Sequence, residues 1–210
     1  MAVRPIVITG EPVLHRPAAR VEAFDGELRQ LVADMYETMD AAHGVGLAAP
    51  QIGVPLRLFV YEMANDDNVP ARGVVINPML SLSKISTDRP DPDSESEGCL
   101  SVPGESYPLK RADRVHVVGF DADGEELSFE ATGWFARVMQ HEFDHLNGLL
   151  YVDRLDAKQS KRARKAIRGN GWGKAGSTWM PGVDRDPFGH DEDPDSDAHL
   201  DAAGHDERLV

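Results

Sequence analysis

Cysteine is nearly absent: Cys99 is the only one in 210 residues. A lone cysteine closes no intramolecular disulfide, so a stapled secreted scaffold is excluded and the usage fits a reducing cytoplasm. No apolar run reaches the roughly 18 residues that a membrane helix needs. The stretch Pro5 to Ile8, behind Arg4, is too short for the apolar centre of a secretory signal. Basic residues are also in deficit, 22 against 36 acidic, for a net charge of −14. That balance argues against a nucleic-acid-binding core. More than half of the excess lies in residues 184–210, where ten acids meet two arginines for a net of −8. What remains is 41% hydrophobic over a length sufficient for one well-packed domain.

Periodicity sets the coarse organisation. Residues 10–21 carry Gly10, Pro12 and Pro17 and read as an extended loop. Leu28, Leu31, Val32, Met35 and Met39 fall at helical spacing behind an Asp25 cap, which predicts a helix over 25–42 closed by Gly44. Strands are expected at 56–62, 73–76 and 79–86, followed by a polar loop over 88–96. Asp123-Gly124 predicts a hairpin turn between strands at 114–120 and 125–130. A second helix is expected over 133–148, with Trp134, Val138, His141 and His145 on one stripe. A basic helix over 156–168 carries Lys158, Lys161, Arg162, Arg164, Lys165 and Arg168. Beyond it, residues 169–210 are glycine-rich and then acidic and are expected to be a disordered extension. Its His190, His199 and His205 read as solvated side chains.

One pattern carries chemistry outright. His141-Glu142-Phe143-Asp144-His145 is an HExxH string, and residues four apart share a helix face. Both imidazoles can therefore reach one metal ion, and Glu142 beside them can take a proton from a water on that ion. Solvated histidines on a surface helix are the alternative, disfavoured because the stripe continues into apolar residues. Cys99, in Glu97-Gly98-Cys99-Leu100-Ser101, is left with packing, metal binding or nucleophilic attack. The segment Gly44-Val45-Gly46-Leu47-Ala48-Ala49-Pro50-Gln51 is glycine-dense and apolar apart from Gln51. It fits a buried turn or a place where another backbone approaches closely.

Together, in this order, the three segments resemble the peptide deformylases, whose GxGxAAxQ, EGCLS and QHExDH segments match here at every defining position. The resemblance covers roughly residues 1–168. It implies a compact single α+β domain, with mixed or antiparallel strands enclosing a central HExxH metal-binding helix and a helix at the C-terminal end. It implies metal ligands Cys99, His141 and His145. Three protein ligands leave one position open for water, as catalytic rather than structural zinc sites do. The metal implied is one divalent ion, Fe²⁺, with Ni²⁺, Zn²⁺ or Co²⁺ able to substitute. Glu142 is the implied general acid/base. The Gln51 side-chain amide and the Leu100 backbone N–H are the implied oxyanion donors. The implied reaction is hydrolysis of the formyl group from N-formylmethionyl nascent peptides, releasing formate.

The resemblance also places substrate along Gly44, Val45 and Gly46 by strand addition. Candidates for the methionine pocket are Val45, Trp134, Val138 and the aliphatic stem of Arg137, with His141 at the floor. Many deformylases have a peptide-contacting arginine after the cysteine loop. Here that stretch reads Gly104 to Pro108, and Tyr107 is the candidate contact. Glu97 is expected to pair with Arg111 and hold the metal loop, and Asp144 either orients a ligand histidine or caps the helix. The basic helix either docks on ribosomal RNA near the peptide exit or is a solvated face neutralised by the acidic tail. Neither a membrane nor DNA is expected as a partner. A zinc endopeptidase shares the HExxH logic, and a non-catalytic metal protein would need no Glu142. Cys99 and the Gly44 to Gln51 segment argue against the endopeptidase.

Overall fold

The computed structural model describes residues 2–64 and 70–189. Nine strands and three α-helices follow in chain order. Strand β1 (Ile6–Val7) leads into helix α1 (Gly26–Ala41), β2 (Gly46–Ala48), a short 3-10 turn (Ala49–Ile52), β3 (Leu58–Ala64) and β4 (Pro70–Leu82). Then come β5 (Ser96–Glu97), β6 (Tyr107–Pro108), β7 (Arg114–Phe120), β8 (Glu126–Thr132), helix α2 (Gly133–Leu146), helix α3 (Ala157–Gly169) and β9 (Thr178–Trp179). Five strands form one antiparallel sheet in the order β2-β3-β4-β7-β8, with β2 at an edge. Two two-stranded sheets, β1-β9 and β5-β6, lie beside it.

Alternation along the sheet explains the layers. Leu58, Val60, Val74 and Ile76 join the cluster that holds Leu28, Val32, Met35 and Met39 of α1. Their neighbours Phe59 and Val75 join Val115, Val117 and the α2 residues Phe135, Val138 and Met139. Side chains of a strand alternate between faces, so one sheet is covered by α1 on one side and by α2 on the other. A third cluster under α3 holds Cys99, Val102, Tyr107, Leu109 and Tyr151. The α+β architecture with a central HExxH helix and a last helix is therefore as the sequence implies. No helix of the described residues is long and apolar enough to cross a membrane.

The structure differs from sequence expectation at four places. The strands expected at 73–76 and 79–86 are one strand, broken by a bulge between Ile76 and Met79. Asn77 sits there at φ 51°, its side chain bonding both the N–H and the C=O of Val21. Asn tolerates that left-handed backbone when its amide is satisfied locally. Second, the left-handed residue after α1 is His43, at φ 53°, rather than Gly44. Gly44 serves a close approach instead: a Cβ there would lie 3.0 Å from Leu100 Cδ1. Third, the polar stretch 88–96 ends in a short strand pairing Ser96 with Pro108.

Fourth, the boundary expected after residue 168 does not divide the described chain. Residues 170–189 return to the domain, and β9 pairs with β1 through Ile6 with Trp179 and Val7 with Thr178. Trp179 is 7% exposed and belongs to the α1-side core. Two apolar anchors, Trp172 and Trp179, outweigh the glycine and acid content that suggested disorder. The histidines at 190, 199 and 205 lie outside the described residues.

Candidate metal centre

Helix α2 is buried on nearly every face: eleven of its fourteen residues are inaccessible. Apolar residues hold it to the sheet, and His141, Glu142 and His145 occupy the remaining face. The two imidazoles are one turn apart, with ring centroids 5.0 Å from each other. Cys99 arrives from the loop between β5 and β6, turned by a Val102 N–H bond to Cys99 O of 2.8 Å. Ligand atoms of Cys99, His141 and His145 all lie within 4.8 Å of one another. Cys99 Sγ is 3.4 Å from His145 Nε2.

Charged groups behind this cluster fix its orientation. Glu97 is fully buried and accepts from Arg111 at 2.8 and 2.9 Å and from Arg137 at 2.7 Å. Its Oε2 lies 3.1 Å from His141 Nδ1. A carboxylate acceptor there puts the proton on Nδ1 and leaves the Nε2 lone pair facing the cluster. Burial pushes the Glu97 carboxyl up, but the Arg111 guanidinium and the His141 contact outweigh it and hold it well below the usual carboxylate range. Arg111 also donates to Asp144 at 2.6 Å, and Arg154 clamps both Asp144 oxygens at 2.5 Å. Asp144 thus holds Arg111 rather than a ligand histidine.

The residues fit a metal. His141 Nε2 is buried without a hydrogen-bond partner among the described residues, an arrangement that costs free energy unless something else binds it. Burial, helped by His141 and Arg111, holds the His145 imidazole well below its ordinary value, hence neutral. Burial pushes the Cys99 thiol well up, despite backbone N–H donation from Ser101 and Val102 and with Glu142 and Glu97 adding to the rise. Two imidazole nitrogens and one sulfur are the donor set of a borderline-soft divalent ion.

Glu142 stands beside them. Both its oxygens are buried without hydrogen-bond partners among the described residues. Burial, with Glu97 and Asp144 as like charges, raises its carboxyl well above the ordinary value. It presses on β2, where a Cβ on Gly46 would lie 2.4 Å from Glu142 Oε1. Gln51 faces the same space. Its Oε1 accepts from Ala48 N–H at 2.7 Å, which only the carbonyl end can do, so its NH₂ points at Cys99 Sγ, 3.8 Å away. Leu100 is fully buried in the loop beside them.

The other sequence candidates divide. Val45 and Val138 share one buried cluster with Trp134 packed against it. Arg137 differs from the expected aliphatic wall: its guanidinium binds Glu97 and Leu109 O, at 2.7 Å each, and lies 5.1 Å over the Trp134 ring. Tyr107 is not with them. It is 8% exposed, donates to Glu105 at 2.5 Å and stacks on Tyr151, which in turn stacks on His141 at 5.9 Å. The ion-pairing role of Arg137 escaped sequence reasoning, as did Tyr151 and Trp179 altogether. An arginine within a buried helix stripe was a legible sign of a buried acid, whereas nothing local marked Tyr151 or Trp179.

Known proteins are similar to this chain in sequence and fold. The family model described as polypeptide deformylase matches residues 3–161. A peptide deformylase of Mycolicibacterium paratuberculosis is 54% identical over 197 residues, covering 90% of this chain and all of that protein. The crystal structure of the Thermus thermophilus peptide deformylase superposes with a TM-score of 0.67 at 42% identity, over 80% of this chain and 94% of that one. The Ehrlichia chaffeensis enzyme in complex with actinonin gives 0.69 at 35% identity, over 80% and 98%. The chain belongs to the polypeptide deformylase family, metal-dependent hydrolases that remove the formyl group from N-terminal formylmethionine.

Proposed function

We propose that this chain carries out deformylation with Cys99, His141 and His145 as ligands of one divalent ion, Fe²⁺ in the cell, and Glu142 as general acid/base. Ni²⁺, Zn²⁺ or Co²⁺ can take its place. The carrying observation is the convergence of three metal-type donors with a buried, unpartnered carboxyl on one helix face. A divalent ion held by these residues would lower the pKa of a neighbouring water and so make hydroxide available near neutral pH. Glu142 accepts the attacking water's proton and returns it to the leaving amine. The Gln51 NH₂ and the Leu100 N–H stabilise the developing oxyanion. Glu97, fixed by Arg111 and Arg137, keeps His141 in the tautomer that presents Nε2.

The substrate is the formylmethionyl end of a nascent peptide. Because β2 is a sheet edge, an extended peptide can add along Gly44, Val45 and Gly46. Val45, Trp134, Val138 and His141 receive the methionine side chain. Tyr107 stays behind the metal loop in this reading. The reaction takes place in the cytoplasm, where a reduced Cys99 persists. Helix α3 adds a partner surface. Its six cations are all exposed, only Ala163 is buried, and no ion pair to any of them occurs among the described residues. That face suits RNA phosphates on the ribosome.

The test is formate release from formyl-Met-Ala-Ser by anaerobically purified protein, beside Glu142→Ala, with bound metal quantified in both. Formate from the unaltered chain alone, at equal metal content, is the expected result. No formate from metal-loaded protein would overturn the assignment.

A further inference from the structure

A row of alternating charges runs from the protein surface to the metal cluster. Arg154 Nε and Nη2 donate to the two oxygens of Asp144 at 2.5 Å each, and Asp144 Oδ2 also accepts from Arg111 Nη1 at 2.6 Å. Arg111 turns its other donors, Nε and Nη2, to Glu97 at 2.8 and 2.9 Å. Glu97 Oε2, the oxygen that takes the Nη2 bond, is also the one that lies 3.1 Å from His141 Nδ1. Arg154 is the exposed end of this row: its side chain is 45% accessible, against 5% or less for Asp144, Arg111 and Glu97. It lines a surface groove with Leu80, Phe143 and Lys110, and none of Cys99, His141, Glu142 and His145 lines that groove. Arg111 thus has one guanidinium and two buried acids to serve. Arg154 supplies two of the three hydrogen bonds that Asp144 accepts among the described residues, which lets Arg111 keep two of its three on Glu97.

We propose that Arg154 is a positioning residue for the metal centre: by holding Asp144 it leaves Arg111 on Glu97, and so limits how strongly Glu97 Oε2 draws on the Nδ1–H of His141. Without Arg154, Asp144 is a buried carboxylate with one cation beside it, and such a charge pulls hard on the partner that remains. Arg111 then moves toward Asp144, and Glu97 Oε2 loses part of its Nη2 bond. The charge on that oxygen falls more fully on His141. A carboxylate that draws harder on Nδ1–H makes the imidazole more basic at its other nitrogen, the one that faces the cluster. Arg154 acts only through Asp144, Arg111 and Glu97. A surface side chain thereby sets the donor strength of a buried ligand.

The inference rests on His141 and His145 being metal ligands, and the experiment separates the two. The full chain, its histidines labelled with nitrogen-15, is loaded with Zn²⁺, and the imidazole nitrogens are followed by NMR through the carbon-bound ring protons. Zinc that left the Nε2 signals of both histidines unmoved in the unaltered protein would remove the ligand assignment itself. With those signals moved by zinc, Arg154→Met, which keeps an unbranched stem but loses the guanidinium, is expected to hold one zinc per chain. Its His141 Nδ1 signal is expected at higher frequency, the direction of a stronger N–H hydrogen bond. His145 Nδ1, buried without a hydrogen-bond partner among the described residues, is the reference in the same spectrum and is expected to stay in place. Arg57→Met is the packing control, since Arg57 braces the same end of α2 through Leu146 O at 2.9 Å and Asn147 Oδ1 at 3.1 Å. It is expected to lower the melting temperature and move neither nitrogen. An unmoved His141 Nδ1 in folded Arg154→Met, an equal movement of both Nδ1 signals, or an equal shift in Arg57→Met would overturn the proposal. If Arg154→Met does not fold, Arg154→Lys takes its place. An ammonium cannot hold both Asp144 oxygens in a fork, so the same signal is expected to move in the same direction by less. An unchanged signal would again overturn the proposal.

Discussion

Gly46→Ala tests the proposed role of Glu142 without touching any metal ligand. The added Cβ would lie 2.4 Å from Glu142 Oε1, 2.9 Å from Cδ and 3.0 Å from Cγ. Ordinary contact needs about 3.4 Å, so the carboxyl must retreat by roughly 1 Å, and a displacement of that size costs about 100-fold in rate. The backbone of β2 has no cause to move, since Leu47 and Ala48 remain paired with Val60 and Phe59. The expected outcome is a kcat about 100-fold lower, metal content unchanged, and a modest fall in melting temperature. Steady-state assays, metal analysis and thermal unfolding read the three. Gly46 also belongs to the edge where the peptide is proposed to add, and a double-mutant comparison separates the two causes. In a Glu142→Ala background, which makes no formate, the Gly46→Ala change has no carboxyl left to displace and is expected to leave the Kd for formyl-Met-Ala-Ser unchanged. A Kd about 100-fold weaker would refute the argument and place the effect in substrate docking.

Three further perturbations follow from the site. Gln51→Met removes an oxyanion donor and is expected to lower kcat by about 100- to 1,000-fold with KM little changed. Glu97→Gln strips the charge that balances Arg111 and Arg137 and should cost about 3–5 kcal/mol in denaturant unfolding, with metal retention weakened about 10- to 100-fold. Because Glu97 is held below its ordinary range in the fold, its contribution is present above the unfolded value of about 4.3 and is lost as pH falls further into acid. Unfolding curves of Glu97→Gln should therefore lack that part of the acid-side slope. Charge reversal of Lys158, Lys161, Arg162, Arg164, Lys165 and Arg168 is expected to abolish co-sedimentation with ribosomes and leave deformylation of a tripeptide intact. Persistent co-sedimentation would mark the face as merely solvated.

Local patterns carried much of this reading, and their limits are physical. Asp25 was legible as a cap because its carboxylate bonds the Glu27 and Leu28 N–H groups, an interaction within one helical turn. The HExxH spacing was legible because helix geometry alone puts His141 over His145. Pairing of Glu97 with Arg111 was expected from family resemblance, since the two are 14 residues apart and nothing local joins them. Contacts decided by three-dimensional closure left no such trace. The bulge at Asn77 depends on Val21, 56 residues away. Trp179 reads as one aromatic in a glycine-rich run until β1 supplies its strand partner. Composition misled there because it averages over residues that pack and residues that do not.

Charge balance at the centre leads to a last prediction. Among its buried groups, Arg111 and Arg137 offset Glu97 and Asp144. Without an ion, burial keeps Cys99 and Glu142 protonated, and His145 is already neutral. A divalent ion therefore enters a site with no spare negative charge, and burying its two charges uncompensated would be prohibitive. Balance requires the thiol proton to leave, and a second proton with it. Glu142, buried beside the ligands, is the group left to supply it. Binding is thus expected to release about two protons near neutral pH, measured by calorimetry in buffers of different ionisation enthalpy. In Glu142→Ala the release should fall toward one. One proton in both proteins would mean that Glu142 is ionised before the ion arrives, and the argument from burial would be wrong.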